Sequence, residues 1–568
     1  MTILDSLQLN DPQREAVAAP GNVVVTAGAG SGKTRTLVAR YLHHLEEGAP
    51  LREIVAITFT EKAAREMRNR IRQAITDWLK TSEVSKTSEV LPRSFWEAAF
   101  ADLDAARIGT IHSLCAQILR EHPVAAARLS IKPGFSVLEE GRAAVLRARA
   151  VEDALVWAAE DDVASRLFRP LGEFRLRTVI AALLAKRLDA DPAFERLSDD
   201  PLQGWADALL EWLGGHLDGP EWRAALDDLD RLRANDPSDK MEMARQAVLA
   251  HAGAVDEARR RGEVGAALAE LAALRAAATL NGRKSNWPGD TLTAAKAGMR
   301  ALRDYFDERL APLANPKKPA AWELDEQVAG LIWALHATYW QALTAYERAK
   351  RAENSLDFDD LESGALALLR EPRVRAEWQQ KVKAVLVDEF QDTNERQREI
   401  VYALSGFGTL FVVGDEKQSI YRFRGADVTV FHRVQEDVAR AEGQIVTLDL
   451  TFRPHKALVE TTNRLLAPVL DEIAQPGRPY AVPFAPLRAH RAKPREKIAA
   501  PFVELHLGLG QNASEGRQAA ADGLAARLIE LHERESVAWG EVALLFRAST
   551  GFPPYEDALE RAGIPFVT

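Results

Sequence analysis

The sequence predicts an α/β fold built on parallel strands and interrupted by a large all-α insertion. Three observations lead there. Residues 23–25 (VVV) pass into TAGAGSGKTRT (residues 26–36) and then LVARYLHHLEE, so an apolar β-branched strand, a glycine-rich turn and a helix follow one another. Two more apolar runs, 385–387 and 410–413, end in polar residues where a parallel strand hands over to its loop: Asp388 and Glu389 after the first, Gly414, Asp415 and Gln418 after the second. From about residue 125 to residue 350 the composition shifts to Ala, Leu, Arg and Glu with helical periodicity.

With 568 residues, 47% hydrophobic and 27% charged, the chain has material for several buried cores. Length alone suggests roughly three or four domains. No apolar run is long enough to span a bilayer, and MTILDSLQLN has neither the basic start nor the apolar core of a secretion signal, so no membrane association and a cytoplasmic location are expected. The single cysteine, Cys115, excludes an intrachain disulfide framework and any multi-cysteine zinc or iron–sulfur site within these residues, and reads as a small core residue. A formal net charge of −10 argues against general coating of nucleic acid. It does not argue against a narrow track, which needs only a few phosphate contacts and aromatic platforms for bases.

Each element then follows in order. Residues 6–19 read as a capped helix with a short lead, and Gln13 on it offers the donor and acceptor needed to read an adenine edge, although a surface Gln is more often only solvated. In the turn, Gly28, Gly30 and Gly32 let the backbone approach a polyphosphate, the new helix aims its N–H groups at it, Lys33 adds a point charge and the Thr34 hydroxyl can hold Mg²⁺. Ala27 stands where the usual pattern opens with Gly. Residues 54–75 read as a buried strand and a helix, with Thr60 as N-cap; Phe59 either stacks a base beside Lys62, Arg65 and Arg68 or packs in the core. TSEVSKTSEV (81–90) reads as a polar surface excursion. IGTIH reads as a strand and SLCAQILREH as a helix, which puts Thr110, His112 and Ser113 at another strand-to-helix edge. There His112 is either a nucleic-acid contact or a hydrogen-bonded structural residue. Within the helical stretch, Arg283, Lys284, Lys317 and Lys318 sit on loops that can touch a phosphate backbone or simply be solvated.

LDFDD marks the return to the α/β domain, its acids Asp357, Asp359 and Asp360 placed to cap the next helix. In DEFQD, an Asp at the end of a buried strand suits Mg²⁺, and a neighbouring Glu can orient or deprotonate an attacking water. In GDEKQSIYRFRGAD, Tyr421, Phe423 and Arg424 follow a nucleotide-facing Gln418 directly, which provides a means of linking nucleotide state to base stacking.

Taken in order, GAGSGKT, ITFTEKAA, GTIHS, LDFDD, VDEFQDTN and GDEKQSIYRFRGAD resemble superfamily 1 DNA helicases of the UvrD and Rep kind, most nearly the AddA and RecB helicase–nuclease subunits, from Gln13 to the end of the chain. The resemblance implies a RecA-like P-loop motor: first RecA-like domain in 1–124 and 351–440, inserted helical domain in 125–350, and an incomplete second RecA-like domain in 441–568. It implies that Ala27, Gly28, Ala29, Gly30, Ser31, Gly32, Lys33, Thr34 and Arg35 bind ATP, that Gln13 reads adenine, and that Arg35 and Phe452 clamp its faces. Lys33 would serve the β- and γ-phosphates, Thr34 and Asp388 the Mg²⁺, and Glu389 the hydrolytic water. Gln418 and Arg453 would sense the γ-phosphate, while Phe59, Thr60, His112, Tyr421, Phe423 and Arg424 would line the DNA track.

Two departures stand out. Phe452 and Pro454 replace the Tyr or Trp and the Ser frequent in relatives, and EVALLFRASTGFPPYEDALERAGIPFVT reads as a strand and helix midway through the second motor domain. The later motifs, a second arginine finger and any nuclease would then lie beyond these residues, as in an amino-terminal fragment. The implied activity is ATP-driven 3′-to-5′ movement on single-stranded DNA with separation of duplex, in repair or recombination, and the implied partner is a second helicase–nuclease subunit. Two rivals stay open: a helicase-like subunit that binds DNA without productive unwinding, and an RNA motor.

Overall fold

A computed structural model describes residues 2–84, 91–310, 313, 321–406, 409–470, 480–494 and 500–568, save the side chains of 81–84 and of Arg424. The chain divides into two compact units, Met1–Phe135 with Phe358–Thr568, and Ser136–Asp357.

The first unit is organised by a six-stranded parallel sheet. Its strands are β1 (Val23–Ala27), β2 (Ile54–Thr58), β3 (Arg107–Thr110), β6 (Ala384–Val387), β7 (Thr409–Gly414) and β8 (Gln444–Leu448). They lie side by side in the order β3-β2-β6-β7-β1-β8. IVAIT and AVLV are buried throughout, as expected of strands covered on both faces. Register is fixed by Ile57 opposite Val387, Val387 opposite Val412 and Val25 opposite Val413. On one face of the sheet a core gathers Val23, Val25, Ile54, Leu386 and Val413 with Leu37, Tyr41 and Leu45 of the helix Lys33–Glu46 and Met67, Ile71 and Ile75 of the helix Glu61–Val84. Because every strand runs the same way, all six loops that follow them emerge at one edge.

Past β8, strands β9 (Leu450–His455) and β10 (Arg488–Arg491) form a separate two-stranded parallel sheet. The helices Ala513–Glu535 and Pro553–Arg561 share a small core around Ala525, Leu528 and Leu559.

The second unit is helical apart from two short strands, β4 (Ser136–Val137) and β5 (Ser355–Leu356), which pair in parallel where the unit begins and ends. Among the described residues it shows two apolar cores, one around Leu146, Leu176, Ile180 and Tyr339, the other around Leu213, Leu229, Val248 and Leu271. Buried charge is paired: Arg187 donates to Asp357 at 2.6 Å, and Arg245 to Glu242 at 2.6 Å.

Several expectations change. The compact helical unit begins at Ser136 and ends at Asp357, not at 125 and 350. β8 pairs with β1, so residues 444–448 complete the first sheet and do not open a second one. Ile111 and His112 begin the helix Ile111–Glu121 and do not end a strand, because the Thr110 side chain accepts from the Ser113 N–H at 3.2 Å and caps the helix there. The helix Glu61–Val84 runs through Thr81, so the expected excursion is helical to Val84; residues 85–90 lie outside the described ones. Residues 542–546 form no strand: a strand needs a neighbour for its N–H and C=O groups, none pairs with this run among the described residues, and Leu545 is 94% exposed. Asp357, directly before the helix Phe358–Arg370, is buried against Arg187, Tyr346 and Lys350. Arg283 has its N–H held by Asp239, Lys284 is exposed, and Lys317 and Lys318 lie outside the described residues.

Candidate nucleotide and nucleic-acid site

The loop that leaves β1 is fixed from several sides. Gly28 N donates to Leu448 O at 3.1 Å, Phe452 N to Gly30 O at 2.9 Å, Thr451 Oγ1 to Ala29 O at 2.8 Å and Gln13 Nε2 to Ser31 O at 3.0 Å. With these carbonyls engaged, the loop leads into the helix Lys33–Glu46, whose N-cap, Gly32, contributes no side-chain hydrogen bond. Its first N–H groups are therefore available to an anion. Gly30 and Gly32 take φ of +76° and +90°, and a Cβ on Gly32 would stand 2.5 Å from Gln13 Nε2. A side chain there is excluded by both conformation and space.

Lys33 Nζ lies 3.2 Å from Glu389 Oε2, yet it is buried and has no hydrogen-bond partner among the described residues. A buried ammonium with an ion pair but no aligned acceptor is suited to a polyphosphate. Thr34 follows it on the first helical turn, half-buried. Across the sheet edge, burial and then the neighbouring Glu389 push the Asp388 carboxyl up to about 7, although Lys33 pulls the other way. Such a carboxylate fits a cation. Among the described residues no three His, Cys, Asp or Glu cluster as a protein cage, so a divalent ion at Asp388 and Thr34 would complete its shell with phosphate oxygens and water.

Glu389 has φ +50°, the left-handed region that a non-glycine residue enters at a cost. Its carboxylate is held by Gln391 Nε2 at 3.0 Å. Gln391, itself buried, accepts from Asp415 N at 2.9 Å and receives Ser419 Oγ on its carbonyl at 3.0 Å. It therefore links the carboxylate to the loop after β7. Sequence reasoning passed over Gln391, and its place inside the DEFQD motif was the signal for it. Asp392, the last acid of that motif, is raised to about 6 by burial and then by Glu389, and its Oδ1 is buried with no hydrogen-bond partner among the described residues.

Along the same edge the aromatic residues meet. The Phe59 and Tyr421 rings lie 4.7 Å apart and those of Tyr421 and Phe423 5.9 Å apart, with Phe423 76% exposed. Thr60 Oγ1 caps the helix behind Phe59 by accepting from Ala63 N at 3.1 Å. Arg424 ends the turn Arg422–Arg424.

Other expected roles are not displayed. Gln13 is buried, and its amide is occupied at both ends, Oε1 by Asn10 N and Nε2 by Ser31 O, so it ties the helix Asp11–Ala18 to the loop and presents no free edge. The Arg35 guanidinium donates to the Leu7 carbonyl, and the Phe452 ring packs tilted against His490 with centroids 4.8 Å apart, so the two do not form a slot with each other. Gln418 Nε2 donates to Asp415 Oδ2 at 2.5 Å within its own loop. His112 Nε2 is 3.1 Å from the buried Glu362 and its ring stacks on Phe358 at 4.2 Å, so Nε2 is engaged while the side chain stays partly exposed. Arg453 is brought to the loop: its Cγ would stand 2.8 Å from a Cβ on Gly30.

The UvrD/REP helicase N-terminal domain family matches residues 9–439. The chain belongs to that family. Among curated proteins it is 28% identical over 595 residues to an ATP-dependent helicase/nuclease subunit of Streptococcus pneumoniae (strain Hungary19A-6), covering 98% of this chain and 47% of that protein. It is 29% identical over 622 residues to the protein of the same name from Pelotomaculum thermopropionicum, covering 96% of this chain and 46% of that one. A relative from Streptococcus pneumoniae serotype 4 at 27% identity over 580 residues, with 96% of this chain and 46% of that protein covered, is named exonuclease/helicase subunit RexA. This UvrD/REP family chain thus spans about half the length of the curated relatives it matches.

Proposed function

We propose that this chain is the ATP-hydrolysing part of a DNA helicase of the AddA type, moving 3′ to 5′ on single-stranded DNA in repair or recombination. The observation that carries the reading is the pairing of Lys33 with Glu389 at 3.2 Å, at the sheet edge that also bears the row Phe59, Tyr421, Phe423. Lys33 and the N–H groups of the loop hold the β- and γ-phosphates of ATP. Asp388 and Thr34 hold Mg²⁺, which supplies neutralisation of phosphate charge. Glu389, anchored by Gln391, turns from Lys33 toward a water in line with the γ-phosphate and receives its proton. Arg453, already against Gly30, adds positive charge as the phosphate leaves. The bases of a single strand stack on the exposed aromatic rings, and closing and opening around ATP exchanges them. The relatives are named as subunits, which suggests that the partner is a second helicase–nuclease subunit.

Steady-state ATPase with and without single-stranded DNA tests this. Glu389→Gln lowers kcat by about 10²–10⁴-fold, and Lys33→Ala removes turnover. Wild-type turnover in either variant overturns the assignment. Strand displacement on 3′- and 5′-tailed duplexes reads the direction, and competition by RNA of the same sequence reads the choice of nucleic acid.

A further inference from the structure

Glu362, in the helix Phe358–Arg370, is the meeting point of three segments that the sequence presents as separate motifs. Its side chain is 5% exposed. Oε1 lies 3.1 Å from His112 Nε2 and accepts from Gln397 Nε2 at 2.6 Å; Oε2 accepts from Asn394 Nδ2 at 3.3 Å; and Arg396 stands 3.7 Å away. An ionised carboxylate only accepts, so it requires the imidazole proton on Nε2 and both amides with nitrogen inward. Burial alone would raise this carboxyl, but the bonds from His112, Gln397 and Asn394 outweigh it and hold the group below its ordinary range.

Each end of the junction leads to a different function. Asn394 and Gln397 form the capping box of the helix Glu395–Ser405, Asn394 Oδ1 accepting from Gln397 N at 2.9 Å and Gln397 Oε1 from Asn394 N at 3.3 Å. With oxygens in the cap and nitrogens on Glu362, the two amides fix where the chain leaving Glu389 enters that helix. On the other side, His112 stands in the first turn of the helix Ile111–Glu121. Its cap, Thr110, donates to Glu61 Oε1 at 2.9 Å, and Glu61 opens the helix that follows Phe59 and Thr60. Hydrogen bonds joined by short stretches of backbone thus connect the segment that follows Phe59 to the one that follows Glu389, with Glu362 in the middle.

We propose that Glu362 is a positioning residue that couples strand occupancy at the His112 edge to hydrolysis at Glu389. The inference rests on the reading of the chain as a DNA-stimulated ATPase. When a strand draws on His112 or shifts the helix start beneath it, the acceptor set of Glu362 changes, and with it the seating of Asn394, Gln397 and the turn that holds Glu389.

The test compares the intact protein with E362Q and with E362Q/Q397E, reading basal ATPase, ATPase at saturating oligo-dT, the oligo-dT concentration for half-stimulation, and Tm. In E362Q one carboxylate acceptor becomes an N–H donor facing other donors. In the double variant the amide nitrogen introduced at position 362 takes the place of Oε1 and donates to the carboxylate introduced at position 397 and to His112 Nε2, whose ring proton moves to Nδ1, while the amide oxygen still accepts from Asn394 Nδ2, so the contacts are restored with the polarity toward 397 and His112 reversed. E362Q is expected to keep basal turnover within about twofold and to lose about tenfold of the stimulation, as a typical coupling energy would give; E362Q/Q397E recovers most of it. Full stimulation in E362Q, a parallel fall of basal and stimulated rates with Tm, or no recovery in the double variant overturns the proposal. Absence of stimulation in the wild-type protein overturns the proposed function itself, and this coupling with it.

Discussion

Glu389 pairs a left-handed backbone with a carboxylate fixed between Lys33 and Gln391, so its conformation is set by its surroundings and not by its own preference. Gln391 is the residue on which this depends. Gln391→Ala leaves the Asp415 N–H without its buried acceptor and frees the Glu389 carboxylate, so it should cost about 1–3 kcal/mol in urea denaturation. It should also lower kcat more than it raises KM for ATP; a variant that changes KM alone would show that Gln391 does not orient Glu389. On the strand side, Phe423→Ala removes a highly exposed ring and should weaken single-strand binding by about 1–3 kcal/mol in fluorescence titrations. An unchanged Kd would place the track elsewhere. The sequence made Lys33, Asp388 and Glu389 legible because a strand, a turn and a charge at fixed spacing describe a local geometry. It did not reveal what Gln13, Arg35 and His112 touch. Their partners, Ser31 O, Leu7 O and Glu362, are tertiary neighbours, and a polar side chain at a sheet edge can face inward as readily as outward.

Among the elements, the buried strands were the most readable part, since IVAI, AVLV and LFVV can hardly be anything but covered parallel strands. Residues 542–546 have the same apolar character and no strand partner among the described residues, because composition supplies the face of a strand and not its neighbour. The helical unit shows a converse case, polar residues that sequence periodicity would send to solvent. Arg245, through two hydrogen bonds, holds Glu242 at about 2 against an ordinary 4.5. Burial alone would raise Asp239, but bonds from Arg283 N, Trp287 Nε1, Met241 N and Asn286 Nδ2 bring it to about 2. Both carboxyls titrate lower when folded than when unfolded, so the stability they contribute is complete above the ordinary carboxylate range and is lost as the pH falls toward 2. Denaturation of the helical unit against pH should therefore show an acid limb between about 4.5 and 2 that Glu242→Gln flattens; a limb unaltered by that change would assign it to other groups. In the same unit, Asp357→Ala removes the buried carboxylate that Arg187, Tyr346 and Lys350 share, Lys350 keeping Glu347 at 2.7 Å, and should cost about 1–3 kcal/mol. A thermal melt that matches the wild type would show that this carboxylate does not help to hold the unit together.

At the scale of the whole chain, the helical unit is an insertion whose ends are tied together. Ser136 pairs with Ser355 and Val137 with Leu356, so the chain enters and leaves the unit on adjacent strands, about 4.8 Å apart. Two apolar cores and the buried pairs Arg187–Asp357 and Arg245–Glu242 lie wholly within it. In the other unit, the sheet takes strands from both sides of the insertion, β6 between β2 and β7, and sets Lys33 against Glu389 through that interleaving alone. Each unit thus has its own core and its own reason to fold. Residues 136–357 expressed alone should melt cooperatively by circular dichroism. A chain in which a short Gly/Ser linker replaces them should still bind a fluorescent ATP analogue in a manner that Lys33→Ala abolishes. Loss of nucleotide binding from the linked chain, with its sheet still folded, would mean that the phosphate loop depends on the insertion, and that the motor cannot be understood from the parallel sheet alone.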